Sequence, residues 1–188
     1  MLKKLISEDI ILKKKLIKFE KKIIKIIDFL SFKFKNGNHV FICGNGGSAA
    51  DAQHLSAEFL VRLRPKVNRK PYPLINLMQD SSTFSACSND YSFNQIFKRN
   101  LEALGKKDDV LICLSTSGYS KNIYNVIKLA KKRKIFIISF LGKKGGICKG
   151  LSDIEIIIPS NNTAKIQECH MMFGHYILEK VEDNLIGI

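Results

Sequence analysis

The strongest constraint on this chain is a change of hydrophobic period partway along it. Up to residue 35 apolar residues recur at helical spacing, and from residue 39 short unbroken apolar runs alternate with further helical stretches. Residues 2–35 read as one long helix. Leu5, Leu12, Leu16, Phe19, Ile23, Ile26, Leu30 and Phe34 fall at spacings of three, four or seven and form one apolar stripe, with lysines on the other face. The turn Asn36-Gly37-Asn38 ends it. A helix packed on its own domain or on a partner helix accounts for this pattern better than one lying on a membrane surface.

The later runs predict five strands, at His39–Cys43, Pro73–Met78, Val110–Leu114, Ile135–Phe140 and Ile154–Ile158. Helical patterns follow at Gly47–Arg64, Ser92–Leu104, Ser120–Lys132 and Thr163–Leu185, with a short helical turn near Gly145–Leu151. Arg64–Pro71 and Ser81–Asp90 read as polar connections. Strands without polar alternation must be covered on both faces, which is the condition of a parallel sheet between helical layers. Right-handed crossovers then favour an α/β, doubly wound, five-stranded sheet in the order 2-1-3-4-5. With 188 residues and 45% hydrophobic content, the chain can bury the core of one such domain.

Charge narrows the partners. The net charge is +14, carried by 26 Lys and only 5 Arg, with 11 of the lysines in the first 35 residues. Nucleic-acid recognition favours the planar arginine fork and stacking aromatics, so no nucleic-acid partner is expected. No apolar run reaches membrane length and no signal peptide opens the chain, so neither a membrane nor export is expected. The five cysteines are scattered, odd in number and without CxxC spacing, as in a reduced cytoplasmic protein.

Ligands of such sheets bind at the carboxyl ends of the strands. There the first strand runs into Gly44, Asn45, Gly46, Gly47, Ser48, Ala49, Ala50 and Asp51. Glycines at a strand-to-helix turn let the backbone approach an anion and aim N–H groups at it. The dinucleotide fingerprint does not fit: its acidic partner should follow by about 20 residues, and Asp80 lies 31 past Ala49. The third strand runs into Ser115, Thr116, Ser117, Gly118, Tyr119 and Ser120, where hydroxyls and a helix start can share a phosphate. Two such loops on adjacent strands point to one phosphorylated small molecule.

Candidate side chains for chemistry lie on two helices, although an isolated HxxxE spacing such as His54 and Glu58 is more often an ordinary polar pair. His54 and Glu58, at i and i+4, share a face about 6 Å apart along the axis. Gln167, Glu168, His170 and His175 lie on the closing helix, but Gln167 and His175 are separated by about 12 Å of rise. His39 and His170 read as structural. Asn89 and Asp90, before Tyr91, form a polar pair suited to sugar hydroxyls.

Taken together, the run from Gly44 through His54 to Glu58, Asp80-Ser81-Ser82 with Asn89-Asp90-Tyr91, Leu114 to Gly118, and Thr163 with Ile166 to His175 resemble the phosphoheptose isomerases of the sugar isomerase (SIS) domain family. The likeness spans essentially the whole chain. It implies a flavodoxin-like, homotetrameric enzyme with sites built between subunits. Its reaction converts sedoheptulose 7-phosphate to D-glycero-D-manno-heptose 7-phosphate, toward the activated heptoses of bacterial surface polysaccharide. By the resemblance Asn45, Gly46, Gly47 and Ser48 line the sugar-phosphate site. Ser115, Thr116, Ser117 and Ser120 hold the phosphate, Asn89 and Asp90 meet the sugar, and Glu58 and Gln167 border the substrate. His54, Glu58, Gln167 and His175 match a zinc (Zn2+) site, and Glu58 with His175 the acid/base pair.

Two positions depart from that family. Tyr119 replaces an Asn, which is expected to narrow the phosphate mouth, and Lys165 replaces an Arg, keeping charge without the fork. Two rivals share the scaffold: adaptors of the bacterial replication initiator, against which the intact set His54, Glu58, Gln167 and His175 argues, and isomerases of other phosphosugars.

Overall fold

The computed structural model describes residues 1–78 and 80–188. Five parallel strands, β1 (Val40–Gly44), β2 (Leu74–Asn76), β3 (Val110–Ser115), β4 (Phe136–Gly142) and β5 (Ile154–Ile158), lie in the order β2-β1-β3-β4-β5. The register pairs Val40 with Leu74 on one side and with Val110 on the other, and Ile138 with Ile154 at the far edge. Every residue of β1 and β3 is buried, the burial that their unbroken apolar runs require.

Alternation along the strands divides the core. Val40, Ile42, Ile112 and Phe140 face a layer made of α2 (Glu20–Lys35), α3 (Gly47–Leu60) and α7 (Thr163–Ile186). Phe41, Cys43, Leu111 and Cys113 face α5 (Ile96–Leu104) and α6 (Lys121–Lys132) on the other side. All five cysteines are free and buried. Burial pushes the Cys148 thiol up to about 12, and burial also holds Cys113 well above its ordinary value.

The N-terminal helical segment runs as expected, with an added joint. It comprises α1 (Leu2–Lys14) and α2, joined through a 3₁₀ turn at Ile17–Phe19. Leu12, Leu16, Ile23, Ile26, Leu30 and Phe34 are buried as the stripe requires, but Leu5 is half exposed, as are Ile6, Ile10 and Ile11 of α1. One expectation fails outright. Ser81–Asp90 is not a loop but a helix, α4, whose N-cap Asp80 accepts from the backbone N–H and the hydroxyl of Thr83, both at 2.8 Å. Only Cys87 of α4 is buried, so its periodicity is too weak to read. The helix expected at Gly47–Arg64 stops at Leu60, where Val61 leaves helical dihedrals.

Candidate active site

The carboxyl ends of β1 and β3 meet where the chain reverses direction across the sheet, first toward β2 and then toward β3. Gly46, at φ +56° and ψ −122°, holds a conformation that L side chains avoid, and so turns the chain directly into α3. Gly47 lets the Gln167 amide lie against the backbone: a Cβ there would push that amide away. Gly46 and Gly47 are exposed at the start of α3, where N–H groups lack helical partners, while Ser48 is buried behind them.

The serine loop is folded on itself. Gly118, at φ +69°, donates its N–H to the Ser115 Oγ at 3.0 Å, and Tyr119 N–H donates to the Ser117 Oγ at 3.1 Å. Both hydroxyl protons remain available to an anion. Ser120 caps α6 by position but spends no side-chain hydrogen bond on it, so its hydroxyl is free for a ligand. Thr116 stands half-buried between them. Tyr119, which follows Gly118 in this loop, is 65% exposed.

One residue of this region escapes sequence reasoning. Asn122, 1% exposed, exchanges two hydrogen bonds with Asn45, at 2.9 and 2.8 Å, and its Oδ1 also accepts from Ile123 N–H. The pair ties the glycine-rich loop to the serine loop and fixes the Asn45 amide. Lys165 is also accounted for: its ammonium lies 2.8 Å from Glu8 and 3.0 Å from Asp9 on α1. The lysine that replaces the family's arginine thus holds the N-terminal helix.

The second group of expected residues converges on the outer faces of α3 and α7. These helices run side by side in the same direction, since Gly47 abuts Gln167 and Leu55 abuts Gly174. His54 Nε2 lies 3.0 Å from His175 Nε2 and 3.1 Å from Glu58 Oε1, and His175 Nε2 is 3.4 Å from the same oxygen. Among the described residues these form a group of three side chains able to hold a metal ion. Bonds of about 2.0–2.1 Å to a tetrahedral zinc place neighbouring ligand atoms about 3.3–3.4 Å apart, close to this triangle. The other carboxylate oxygen, Glu58 Oε2, is buried without a hydrogen-bond partner among the described residues. Two imidazoles facing one carboxylate oxygen are the donor set zinc favours, so the three residues fit the ion.

Gln167 stands apart from the triangle. Its amide lies on Gly47, two helical turns before His175, beside the anion loop. Asn89 and Asp90 end α4, exposed and joined to each other by a 2.9 Å hydrogen bond. His170 packs in the core, as a structural histidine does, while the His39 side chain is 39% exposed with its Nδ1 3.9 Å from Asp109.

A doubly wound sheet with anion-ready loops at its switch point and a cation-ready cluster two turns along the flanking helices belongs to proteins that act on phosphorylated small molecules. The SIS domain profile matches residues 10–142. The phosphoheptose isomerase of Clostridium acetobutylicum is 43% identical over 185 residues, covering 97% of this chain and 93% of that protein. Solved phosphoheptose isomerases from Francisella tularensis and Neisseria gonorrhoeae superpose with TM-scores of 0.91 and 0.86, at 31% and 30% identity. Each alignment covers 97% of this chain, with 96% and 97% of the respective structure. The chain therefore belongs to the SIS-domain family, among its phosphoheptose isomerases.

Proposed function

We propose that residues 1–188 form one SIS domain that converts sedoheptulose 7-phosphate to D-glycero-D-manno-heptose 7-phosphate through an enediol. The convergence of His54, Glu58 and His175 on α3, which starts at the glycine-rich loop, and on α7, whose Gln167 lies beside that loop, carries this reading. From Gly47 to His54 the helix rises about 10 Å, a span suited to an extended seven-carbon chain with its phosphate at one end.

Each residue then has a task. Backbone N–H groups at Gly46 and Gly47, with the hydroxyls of Ser115, Thr116, Ser117 and Ser120, bind the phosphate. Asn45, Ser48 and Gln167 border the sugar. Glu58 removes a proton from C1 of the ketose and returns one to C2, while His175 moves protons on the two oxygens. His54, Glu58 and His175 would hold zinc, which supplies Lewis-acid polarisation of the carbonyl when bound. Glu58 Oε1 faces both imidazoles, and its Oε2 has no hydrogen-bond partner among the described residues.

The assembly is read as a homotetramer, in which the exposed apolar residues of α1 meet other subunits and Asn89 with Asp90 reaches a neighbour's sugar. Free buried thiols favour the reducing cytoplasm. Among the described residues no helix is long and apolar enough to cross a membrane. The product would feed nucleotide-activated heptoses for lipopolysaccharide or capsule.

The test is product analysis by mass spectrometry and NMR across a panel of sugar phosphates, with and without chelator. Glu58→Gln should lower kcat for sedoheptulose 7-phosphate by about 10²–10⁴-fold while circular dichroism stays unchanged. Wild-type-like turnover in that variant, or no turnover of this substrate by the native protein, overturns the reading.

A further inference from the structure

The polar loop between α3 and β2 gives no group to the anion loops, yet it buries a guanidinium. The Arg69 side chain is 2% exposed. Its Nη2 donates to the carbonyl oxygen of Glu58 at 2.9 Å, and its Nη1 to those of Phe59 at 2.9 Å and Lys70 at 3.1 Å. Its Nε donates to Glu182 Oε1 at 2.7 Å, and the rings of Phe59 and Tyr72 flank it at 4.9 and 5.5 Å. Glu182 is fully buried, and its second oxygen accepts from Arg64 Nε at 2.6 Å.

The placement of these bonds matters more than their number. The last carbonyls of a helix have no helical partners, and a cation there is favoured by the helix dipole. Arg69 satisfies two of them at the end of α3, one belonging to Glu58 itself. Glu182 lies seven residues past His175, two turns along the same face of α7. One guanidinium therefore ties the end of α3 directly to α7, and these are the two helices whose side chains form the triangle.

We propose that Arg69, locked by Glu182, is a positioning residue that sets Glu58 against His54 and His175; this rests on the reading of that trio as the zinc-holding and proton-transferring group. A lysine at this position keeps the charge but lacks the planar fork whose separate nitrogens reach the two helix carbonyls and Glu182.

The test compares Arg69→Lys and Arg64→Ala with the native protein, well below the Tm of each. Arg69→Lys should lower kcat about 10–100-fold with KM almost unmoved, and weaken zinc binding, read by chelator competition, by about 10–100-fold. Arg64→Ala removes the more exposed partner of Glu182 and leaves the bonds to α3, so it should lower Tm without moving kcat or zinc affinity. Native kcat and zinc affinity in folded Arg69→Lys overturn the proposal. If that variant does not fold, Glu182→Asp, which shortens the carboxylate, is read in the same way. Failure of both to fold also overturns it, because the network would then serve folding rather than the site. A native protein that binds zinc but leaves sedoheptulose 7-phosphate unchanged would undo the function reading, while zinc affinity still judges Arg69.

Discussion

His170 sits among apolar side chains of α7 with Nε2 3.2 Å from the carbonyl oxygen of Leu141, and burial pulls its pKa down to about 4. In the unfolded chain the imidazole titrates near 6.5, so between these values the unfolded state binds the proton and the folded state does not. Its neutral burial favours folding fully above about pH 6.5, and that contribution is lost as pH falls through about 4. The loss amounts to about 3 kcal/mol. Urea unfolding at pH 7, 5.5 and 4.5 should therefore show a steeper loss in the native protein than in His170→Gln, and parallel curves would refute this. That His170 is structural was legible from its lack of partners in sequence. The pairing of Asn45 with Asn122 was not, because two amides 77 positions apart carry no mark of each other. Arg69 and Glu182, 113 positions apart, were hidden for the same reason.

At the scale of elements, the strands could be read because parallel strands buried on both faces leave unbroken apolar runs. α4 could not, since Phe84 and Cys87 are its only inward hydrophobics, although Asp80 three residues before Thr83 is the trace of its cap. The convergence of α3 and α7 was legible only in part. The i, i+4 spacing put His54 beside Glu58, but the position of His175 depends on two helices running in parallel. α1 carries the element-scale prediction. Ile10 on α1 and Ile17 on the 3₁₀ turn that follows it are exposed, while Glu8 and Asp9 fasten α1 to Lys165. The double variant Ile10→Glu with Ile17→Glu should keep native circular dichroism but give a smaller particle in light scattering. An unchanged mass would remove α1 from the assembly interface.

At the scale of the molecule, the sheet is one wall shared by two cores, and the cysteines are divided unequally between them. Cys169 lies in the core under α2, α3 and α7, while Cys43, Cys87, Cys113 and Cys148 lie in the core under α5 and α6. A thiol reagent reaches a buried sulfur only when its core opens, so adduct number reports how much of the molecule opens at once. Because both cores rest on the same strands, a brief alkylation pulse during unfolding should give molecules with no adduct or five in the intact mass spectrum. A population carrying four would show that one side of the sheet can come apart while the other, with His54, Glu58 and His175 on its helices, stays closed. The cysteines, which take no part in the chemistry proposed here, would then time the two halves separately.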